Sequence, residues 1–169
     1  MVVCIYLRFI NLETLMQILF THTIDINQLA IGFGLDTNKS SNFLNDGRLT
    51  GRLAEFIFAQ KTGGNKTAEN MPYDIDMPNG DRVEIRSVTK GLSFASSKEV
   101  GFGRKVTAQG FLDKLNSVDY FVAVDYDSLM GTMKFIKVEK SDIITMESKQ
   151  LLRKNKSISR KKFMGLVHG

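Results

Sequence analysis

Two acidic residues and one basic residue have a spacing that suits catalysis with a divalent cation. Asp74 lies ten positions before Glu84, and Arg86 follows two positions later. Two carboxylates that approach each other repel unless a cation lies between them. Oxygen-rich acidic sites are those that Mg²⁺ prefers. The pattern therefore predicts a Mg²⁺ site formed by Asp74 and Glu84, with Asp76 as a rival ligand because it shares the face of Asp74.

A β-hairpin is the element expected to hold these side chains. The segment Pro78-Asn79-Gly80 predicts a tight turn, since Asn and Gly accept positive φ. After it, Val83-Glu84-Ile85-Arg86 alternates apolar and charged residues with the two-residue period of a strand. The alternation directs Glu84 and Arg86 to one side of the strand. Pairing of the two strands brings Asp74 beside Glu84.

The segment before the hairpin predicts a helix over residues 47–60 that ends at Gly63-Gly64. Its apolar stripe consists of Leu49, Leu53, Phe56 and Ile57. Glu55 points away from this stripe. An isolated glutamate in such a place is usually a solvated residue. Beside the predicted site, Glu55 is a candidate for a metal-site acid or for holding a metal-bound water.

The acid, the gap of about ten positions and the acid-x-base tripeptide resemble the PD-(D/E)XK nuclease superfamily. The matching residues are Tyr73-Asp74 and Glu84-Ile85-Arg86, and residues 47–56 are similar to the helix that often carries an extra acid in type II restriction endonucleases. The resemblance covers roughly residues 47–138. It implies an α/β restriction-endonuclease-like core with a mixed central sheet of four to five strands flanked by helices.

The same resemblance implies the roles of the residues. Asp74, Glu84 and the main-chain carbonyl of Ile85 would bind one or two Mg²⁺ ions, and Asp74, Glu84, Arg86 and Glu55 would be catalytic. The protein would hydrolyse phosphodiester bonds in double-stranded DNA at a specific sequence. It would act as a homodimer, because cutting both strands takes two sites.

Arg86 departs from the family pattern, in which the base is most often Lys. The guanidinium of an arginine cannot be deprotonated in a protein, so Arg86 cannot be a general base. It can hold a water or a phosphate oxygen and stabilise the transition state. Lys90 or Lys98 is a candidate to compensate for the missing lysine.

Residues 90–105 predict a DNA-facing loop directly after the catalytic strand. The loop offers hydrogen-bond donors to phosphates or base edges, and its glycines allow the main chain to approach a ligand closely. The predicted DNA-binding residues are Lys90, Ser93, Ser96, Ser97, Lys98, Arg104 and Lys105. The alternative is an ordinary flexible surface loop.

The whole chain has the size and composition of one globular domain. It has 169 residues, 43% of them hydrophobic, which is enough to bury a core. The catalytic core is predicted over residues 47–140, after an N-terminal helical segment over 1–46 with a core helix at about 12–20. Cys4 is the lone cysteine, which excludes an internal disulfide and a Cys-based zinc site. A cytoplasmic location follows, and the broken apolar run over 1–20 does not predict a membrane span.

The formal charge of +5 and the pI of about 9.3 favour a polyanionic partner. Within the basic C-terminal segment 141–169, residues 149–169 carry no acid. Their bases are Lys149, Arg153, Lys154, Lys156, Arg160, Lys161 and Lys162. This run is either a solvated tail or a phosphate-contacting segment. A short helix over 142–147, capped by Ser141, precedes it.

The sequence is also compatible with three other functions. The first is a catalytically impaired DNA-binding module of the same fold, in which the replacement of the usual Lys by Arg86 reflects a loss of catalytic activity. The second is a structure-selective nuclease that acts in DNA repair or on junctions. The third is a small protein-interaction domain whose basic segment only aids solvation, which predicts no salt-dependent DNA binding.

Overall fold

A computed structural model describes residues 16–34, 36, 47–100 and 103–168 of the chain. Within these ranges the chain forms a mixed six-stranded sheet, a separate two-stranded sheet and five helices. The predicted α/β class is confirmed. The central sheet has six strands, not the four to five expected, because a strand from the N-terminal segment and a two-residue strand extend its two edges.

The elements follow in the order in which the chain forms them. The strands are β1 (Gln17–Thr23), β2 (Asn65–Lys66), β3 (Ile75–Asp76), β4 (Arg82–Val88), β5 (Gly91–Ser93), β6 (Tyr120–Asp127), β7 (Thr132–Glu139) and β8 (Ser157–Ser159). The helices are α1 (Ile26–Gly32), α2 (Gly47–Thr62), α3 (Ala108–Ser117), α4 (Lys140–Ser148) and α5 (Arg160–His168). None of the helices in the described ranges combines the length and apolar character needed to cross a bilayer.

The central sheet has the order β1-β7-β6-β4-β3-β2, and β8 pairs with β5 in the small sheet. Strands β4 and β6 are parallel, and the other pairs are antiparallel. Strand β6 is buried on both faces, as its apolar run predicts. Phe121 and Ala123 face a core shared with α3, α4 and α5, whereas Val122 and Val124 face a core shared with α2.

The prediction of a helix over residues 12–20 is wrong for those residues of the range that the structure describes. Residues 17–23 form β1, which pairs with β7 at the edge of the sheet. Ile18, Phe20 and Thr21 are β-branched or aromatic and suit a strand, and the partner strand lies more than a hundred positions away in sequence. Residues 12–15 lie outside the described residues. The N-terminal segment is therefore not wholly helical.

Helix α2 forms where the apolar periodicity predicts it and ends at Gly63, whose φ is 73°. Of the expected stripe, only Ile57 is buried, while Leu49 and Leu53 are half-buried against the core. Phe58 is fully buried, whereas Phe56 is 60% exposed and lies under the Lys66 ammonium at 5.5 Å. The buried positions are Thr50, Ala54, Ile57 and Phe58, which are spaced as one helix face.

Helix α4 begins one residue before the predicted cap. Glu139, not Ser141, is the N-cap residue. The main-chain N–H of Glu139 donates to Oδ2 of Asp142 at 2.9 Å, as in a capping box. The acid at position 142 therefore sets the start of the helix.

The basic C-terminal segment is folded onto the core and is not a free tail. Strand β8 pairs with β5, and Phe163 and Val167 of α5 are buried. The guanidinium of Arg160 binds both carboxylate oxygens of Asp125 at 2.6 and 3.0 Å. The Lys156 ammonium contacts Glu147. Arg160 stays exposed although it is paired, and the other exposed bases are Lys149, Arg153, Lys154, Lys161 and Lys162.

Replacement of Phe163 by Ala tests whether this segment belongs to the core. We expect the free energy of unfolding to fall by about 3–5 kcal/mol, because a fully buried ring leaves a cavity. Urea unfolding followed by circular dichroism measures this loss. The control is Lys162→Ala on the exposed face, which we expect to change stability by at most about 0.5 kcal/mol. Equal stability of the two variants would contradict the observed packing.

Candidate active site

Two hydrogen bonds hold Asp74 against β4, one on each side of Glu84. The main-chain N–H of Asp74 donates to the carbonyl of Val83 at 2.9 Å. The N–H of Ile85 donates to Oδ2 of the Asp74 side chain at 2.8 Å. The side-chain carboxylate of Asp74 thus acts as an acceptor next to the last main-chain pair, Ile75 with Val83, and extends the hydrogen bonding between β3 and β4. The turn at Gly80, with φ of 90°, sets this register.

The main-chain carbonyl of Ile85 faces the same edge of β4 as Asp74. In an extended strand the N–H and C=O of one residue point to the same side. Because the N–H of Ile85 is directed at Asp74, its carbonyl oxygen is also directed away from β6. The carboxylate of Asp74 and the carbonyl of Ile85 therefore lie on one edge of β4, and Asp74, Glu84 and Ile85 line the same groove.

The carboxylate of Glu84 is buried and bound by two cations. The residue is 4% exposed. Its Oε1 contacts Nη2 of Arg86 at 2.6 Å, and its Oε2 contacts Nζ of Lys114 at 2.5 Å. Burial raises the pKa of Glu84 above its ordinary value, and repulsion from Asp74 adds to this, whereas both cations oppose it.

Lys114 of α3 binds Glu84 and was missed by the sequence interpretation. It is 8% exposed, and its ammonium also donates to the carbonyl of Pro72 at 2.5 Å. Burial lowers the pKa of Lys114, and the charge of Glu84 opposes this shift. One signal was available, since Lys114 lies three positions after the apolar Phe111, a spacing that puts both side chains on one face of a helix. Lys90 and Lys98, the expected substitutes, do not contact Glu84.

Arg86 links the strand to the loop that follows it. Its Nη2 donates to the carbonyl of Ala95 at 3.2 Å as well as binding Glu84. Its Nε is buried and has no hydrogen-bond partner among the described residues. A buried unpaired donor is unfavourable, so this N–H is a hydrogen-bonding group that the described residues leave unsatisfied.

Glu55 of α2 lies near the same acids. Its Oε2 contacts the Lys66 ammonium and lies 3.9 Å from Nη1 of Arg52. Burial raises the pKa of Glu55; the charge of Asp74 also raises it, while Lys66 and Arg52 lower it. Asp74 therefore interacts electrostatically with both Glu55 and Glu84. Lys66, which pairs with Glu55, had no recognisable sequence signal.

Two grooves, each of about 750 Å³, meet at the acids. The first groove contains all four predicted catalytic residues, which are Glu55, Asp74, Glu84 and Arg86. The second groove extends past Lys114 to the start of α3. Residues shared by both grooves are Glu69, Met71, Asp74, Glu84, Ser97 and Arg104. The acid pair thus lies where the grooves join.

The predicted DNA-binding residues divide between these grooves and the surface outside them. Ser93, Ser97 and Arg104 line the first groove, and Ser96, Ser97, Lys98 and Arg104 line the second. Lys90 and Lys105 are exposed and line neither. Part of Arg104 is used within the loop, because its Nη1 donates to the carbonyls of Ser97, Lys98 and Val100 at 3.3–3.5 Å.

Asp76, the rival ligand, is not part of the acid cluster. It pairs with Arg82 in the β3–β4 ladder and lines neither groove. Its carboxylate accepts a hydrogen bond from the Tyr73 hydroxyl, which raises the pKa of Tyr73.

The donors suit Mg²⁺ in chemical type, since hard divalent cations take carboxylate and carbonyl oxygens. Across the part of the chain that the structure describes, no group of three or more His, Cys, Asp or Glu side chains has the geometry of a metal site. Arg86 and Lys114 neutralise Glu84 in this arrangement. Glu84 would have to exchange at least one of these ion pairs for a bound metal.

The fold and the grooves define an α/β protein with a cleft lined by both acids and bases. No known family model matches the chain, and no curated protein matches its sequence.

Replacement of Lys114 by Met tests whether the buried charge of Glu84 depends on this contact. We expect the free energy of unfolding at pH 7 to fall by about 3 kcal/mol, because the buried carboxylate of Glu84 loses one of its two cations. The pKa of Glu84 in the folded state is already above the ordinary value of 4.5 and rises further in the variant. The destabilisation is therefore small below pH 4.5 and grows as the pH rises through the folded-state pKa.

Urea unfolding at a series of pH values measures this dependence. Lys137→Met is the matched control, because Lys137 forms a more exposed ion pair with Glu139 at 2.6 Å. We expect it to lose at most about 1 kcal/mol. A loss for Lys114→Met that does not change with pH would contradict the role assigned to Glu84.

Proposed function

We propose that this protein is a Mg²⁺-dependent, sequence-specific endonuclease of double-stranded DNA with a restriction-endonuclease-like core, which acts in the cytoplasm as a homodimer. The observation that carries the proposal is the attachment of Asp74 to β4 on both sides of Glu84. This arrangement supports the proposal, because it holds Asp74 close enough for its charge to act on Glu84. Glu55 and Arg86 line the same groove.

Asp74, Glu84 and the carbonyl of Ile85 are the groups that would hold Mg²⁺. When bound, the metal lowers the pKa of a water molecule and neutralises charge on the scissile phosphate. Asp74 keeps its place because the Ile85 N–H donates to its Oδ2. The protein thus supplies a fixed carboxylate rather than a mobile one.

Arg86 and Lys114 supply positive charge to the reaction without transferring a proton. An arginine cannot serve as a general base, so Arg86 contributes charge, and its unpaired Nε would donate a hydrogen bond to a phosphate oxygen as negative charge develops there. Lys114 holds Glu84 from the side of α3. Glu55, kept in place by Lys66, would order a water in the groove.

DNA is the substrate proposed because basic and hydroxyl side chains flank the acids. Ser93, Ser97 and Arg104 line the groove that contains the catalytic residues. Donors of this kind contact phosphate oxygens in most protein–DNA complexes. A two-fold dimer would present two such sites to a palindromic target and cut both strands.

A non-cleaving DNA-binding module is the second candidate, and one observation favours it. Both carboxylate oxygens of Glu84 are already bound by Arg86 and Lys114. If these ion pairs persist, the site holds no divalent cation and the groove only binds DNA. A structure-selective nuclease is distinguished from both by its preference for branched over linear DNA.

Cleavage of a long defined DNA in the presence of Mg²⁺ tests the proposal. We expect discrete bands from the wild type and a rate reduced by about a hundredfold or more in Asp74→Asn and Glu84→Gln, because each loses a metal-binding charge. Asp76→Asn is the matched control, since it makes the same change two residues away and outside both grooves. We expect its rate to equal that of the wild type.

Each other outcome has a definite meaning. Unchanged cleavage by Asp74→Asn and Glu84→Gln would reject the site. A gel shift without metal, together with no product in Mg²⁺ or Mn²⁺, would establish the DNA-binding module instead. A smear of products would indicate an unspecific nuclease.

A further inference from the structure

An ion pair between Arg52 and Glu69 joins the two walls of the first groove. Arg52 belongs to α2 on one wall, and Glu69 belongs to the loop of residues 67–74 on the other. Nη2 of Arg52 lies 2.9 Å from Oε1 of Glu69. The side chain of Arg52 is 52% exposed and that of Glu69 is 81% exposed. Solvent screens such a pair, so it contributes little stability and is easily exchanged.

The loop that carries Glu69 ends at the catalytic acid. The N–H of Thr67 donates to the carbonyl of Asp74 at 2.8 Å, and the Thr67 hydroxyl donates to the carbonyl of Tyr73 at 2.6 Å. These bonds close the loop on itself, with Glu69 near its tip. Glu69 also lines both grooves, so a chain-like ligand that runs from one groove into the other passes Glu69 and Asp74.

The groove has room for a ligand beside Arg52. Gly51 precedes Arg52 and lines the same groove, and a Cβ atom at Gly51 would have no atom within 4 Å. Within the groove, the second acid near Arg52 is Glu55, whose closest oxygen is 3.9 Å from Nη1 and is already bound by Lys66. The main partner that an incoming anion has to replace is therefore Glu69.

We propose that Arg52 binds a backbone phosphate of a DNA strand lying in the first groove, and that Glu69 occupies Arg52 as an internal competitor until DNA displaces it. The choice of DNA as the anion rests on the proposed function. A guanidinium binds a phosphate through two parallel hydrogen bonds, which favours the phosphate over a single carboxylate contact. Glu69 is thus an acid that mimics the substrate.

A double-mutant cycle on DNA binding tests this inference. The variants are Arg52→Gln, Glu69→Gln and the double variant, and the probe is a fluorescein-labelled duplex of mixed sequence in EDTA, titrated at several concentrations of potassium chloride. We expect Arg52→Gln to weaken binding and to reduce the slope of log K against log salt by about one, as for the loss of one phosphate contact. We expect Glu69→Gln to tighten binding by up to about fivefold.

The interaction between the two changes decides the mechanism. If Glu69 acts by occupying Arg52, its removal gives no gain once Arg52 is absent, so the two effects are not additive. A gain from Glu69→Gln that persists in the Arg52→Gln background would overturn the inference, because Glu69 would then act by simple repulsion. Wild-type affinity and salt slope in Arg52→Gln would overturn it as well.

Matched controls come from ion pairs outside the grooves. Glu147→Gln removes an acid paired with Lys156, and Arg82→Gln removes a base paired with Asp119. Neither residue lines a groove. We expect both to bind DNA within about twofold of the wild type and to keep its salt slope. Controls that reproduce the effects of the groove variants would show a general charge effect and overturn the inference.

The cycle separates this inference from the proposed nuclease function. A wild type that binds DNA through Arg52 but never cleaves it supports the inference and rejects the nuclease. A wild type that cleaves DNA while Arg52→Gln binds normally supports the nuclease and rejects the inference. A wild type that does not bind the duplex rejects the inference directly.

Discussion

The buried charge of Glu84 is the constraint on which the groove depends. Removing a carboxylate from water costs several kcal/mol unless cations and hydrogen bonds compensate it. One cation comes from the same strand, and the other comes from α3. Each cation also binds a main-chain carbonyl, of Ala95 for Arg86 and of Pro72 for Lys114. A single carboxylate therefore connects the central sheet, a helix and the loops on both sides of the groove.

Charge in the groove is arranged in pairs rather than as a uniform positive surface. Bases such as Arg52 and Lys66 lie beside Glu69 and Glu55, although the chain as a whole carries a formal charge of +5. A polyanion that enters the groove must replace these internal ion pairs with contacts between the bases and its own phosphates. Its binding therefore depends on geometry as well as on net charge. Much of the excess positive charge is instead found on the outer surface of the folded C-terminal segment.

Local chemistry explains what the sequence predicted well. The hairpin around Gly80, the helix that carries Glu55 and the buried strand β6 each follow from turn residues or from apolar periodicity within one segment. The features that it missed depend on distant partners. Strand β1 forms because it pairs with β7. The contact of Lys114 with Glu84 depends on how α3 packs against the sheet. A single sequence contains no local signal for the pairing of β1, and for Lys114 the spacing from Phe111 indicates the helix face but not the partner. Phe56 was misplaced because it was assigned to the buried face, which Phe58, two positions later, occupies instead.

The pairing of β5 with β8 has a consequence for the synthesis of the protein on the ribosome. Ser93 of β5 forms part of the groove wall, yet its partner strand is β8, Ser157–Ser159. The ribosome adds roughly 5–20 residues per second, and the earlier segments of a chain fold first. For some seconds, a nascent chain therefore contains the acids but lacks the strand that completes their surroundings. The groove can therefore be completed only after β8, Ser157–Ser159, has been synthesised.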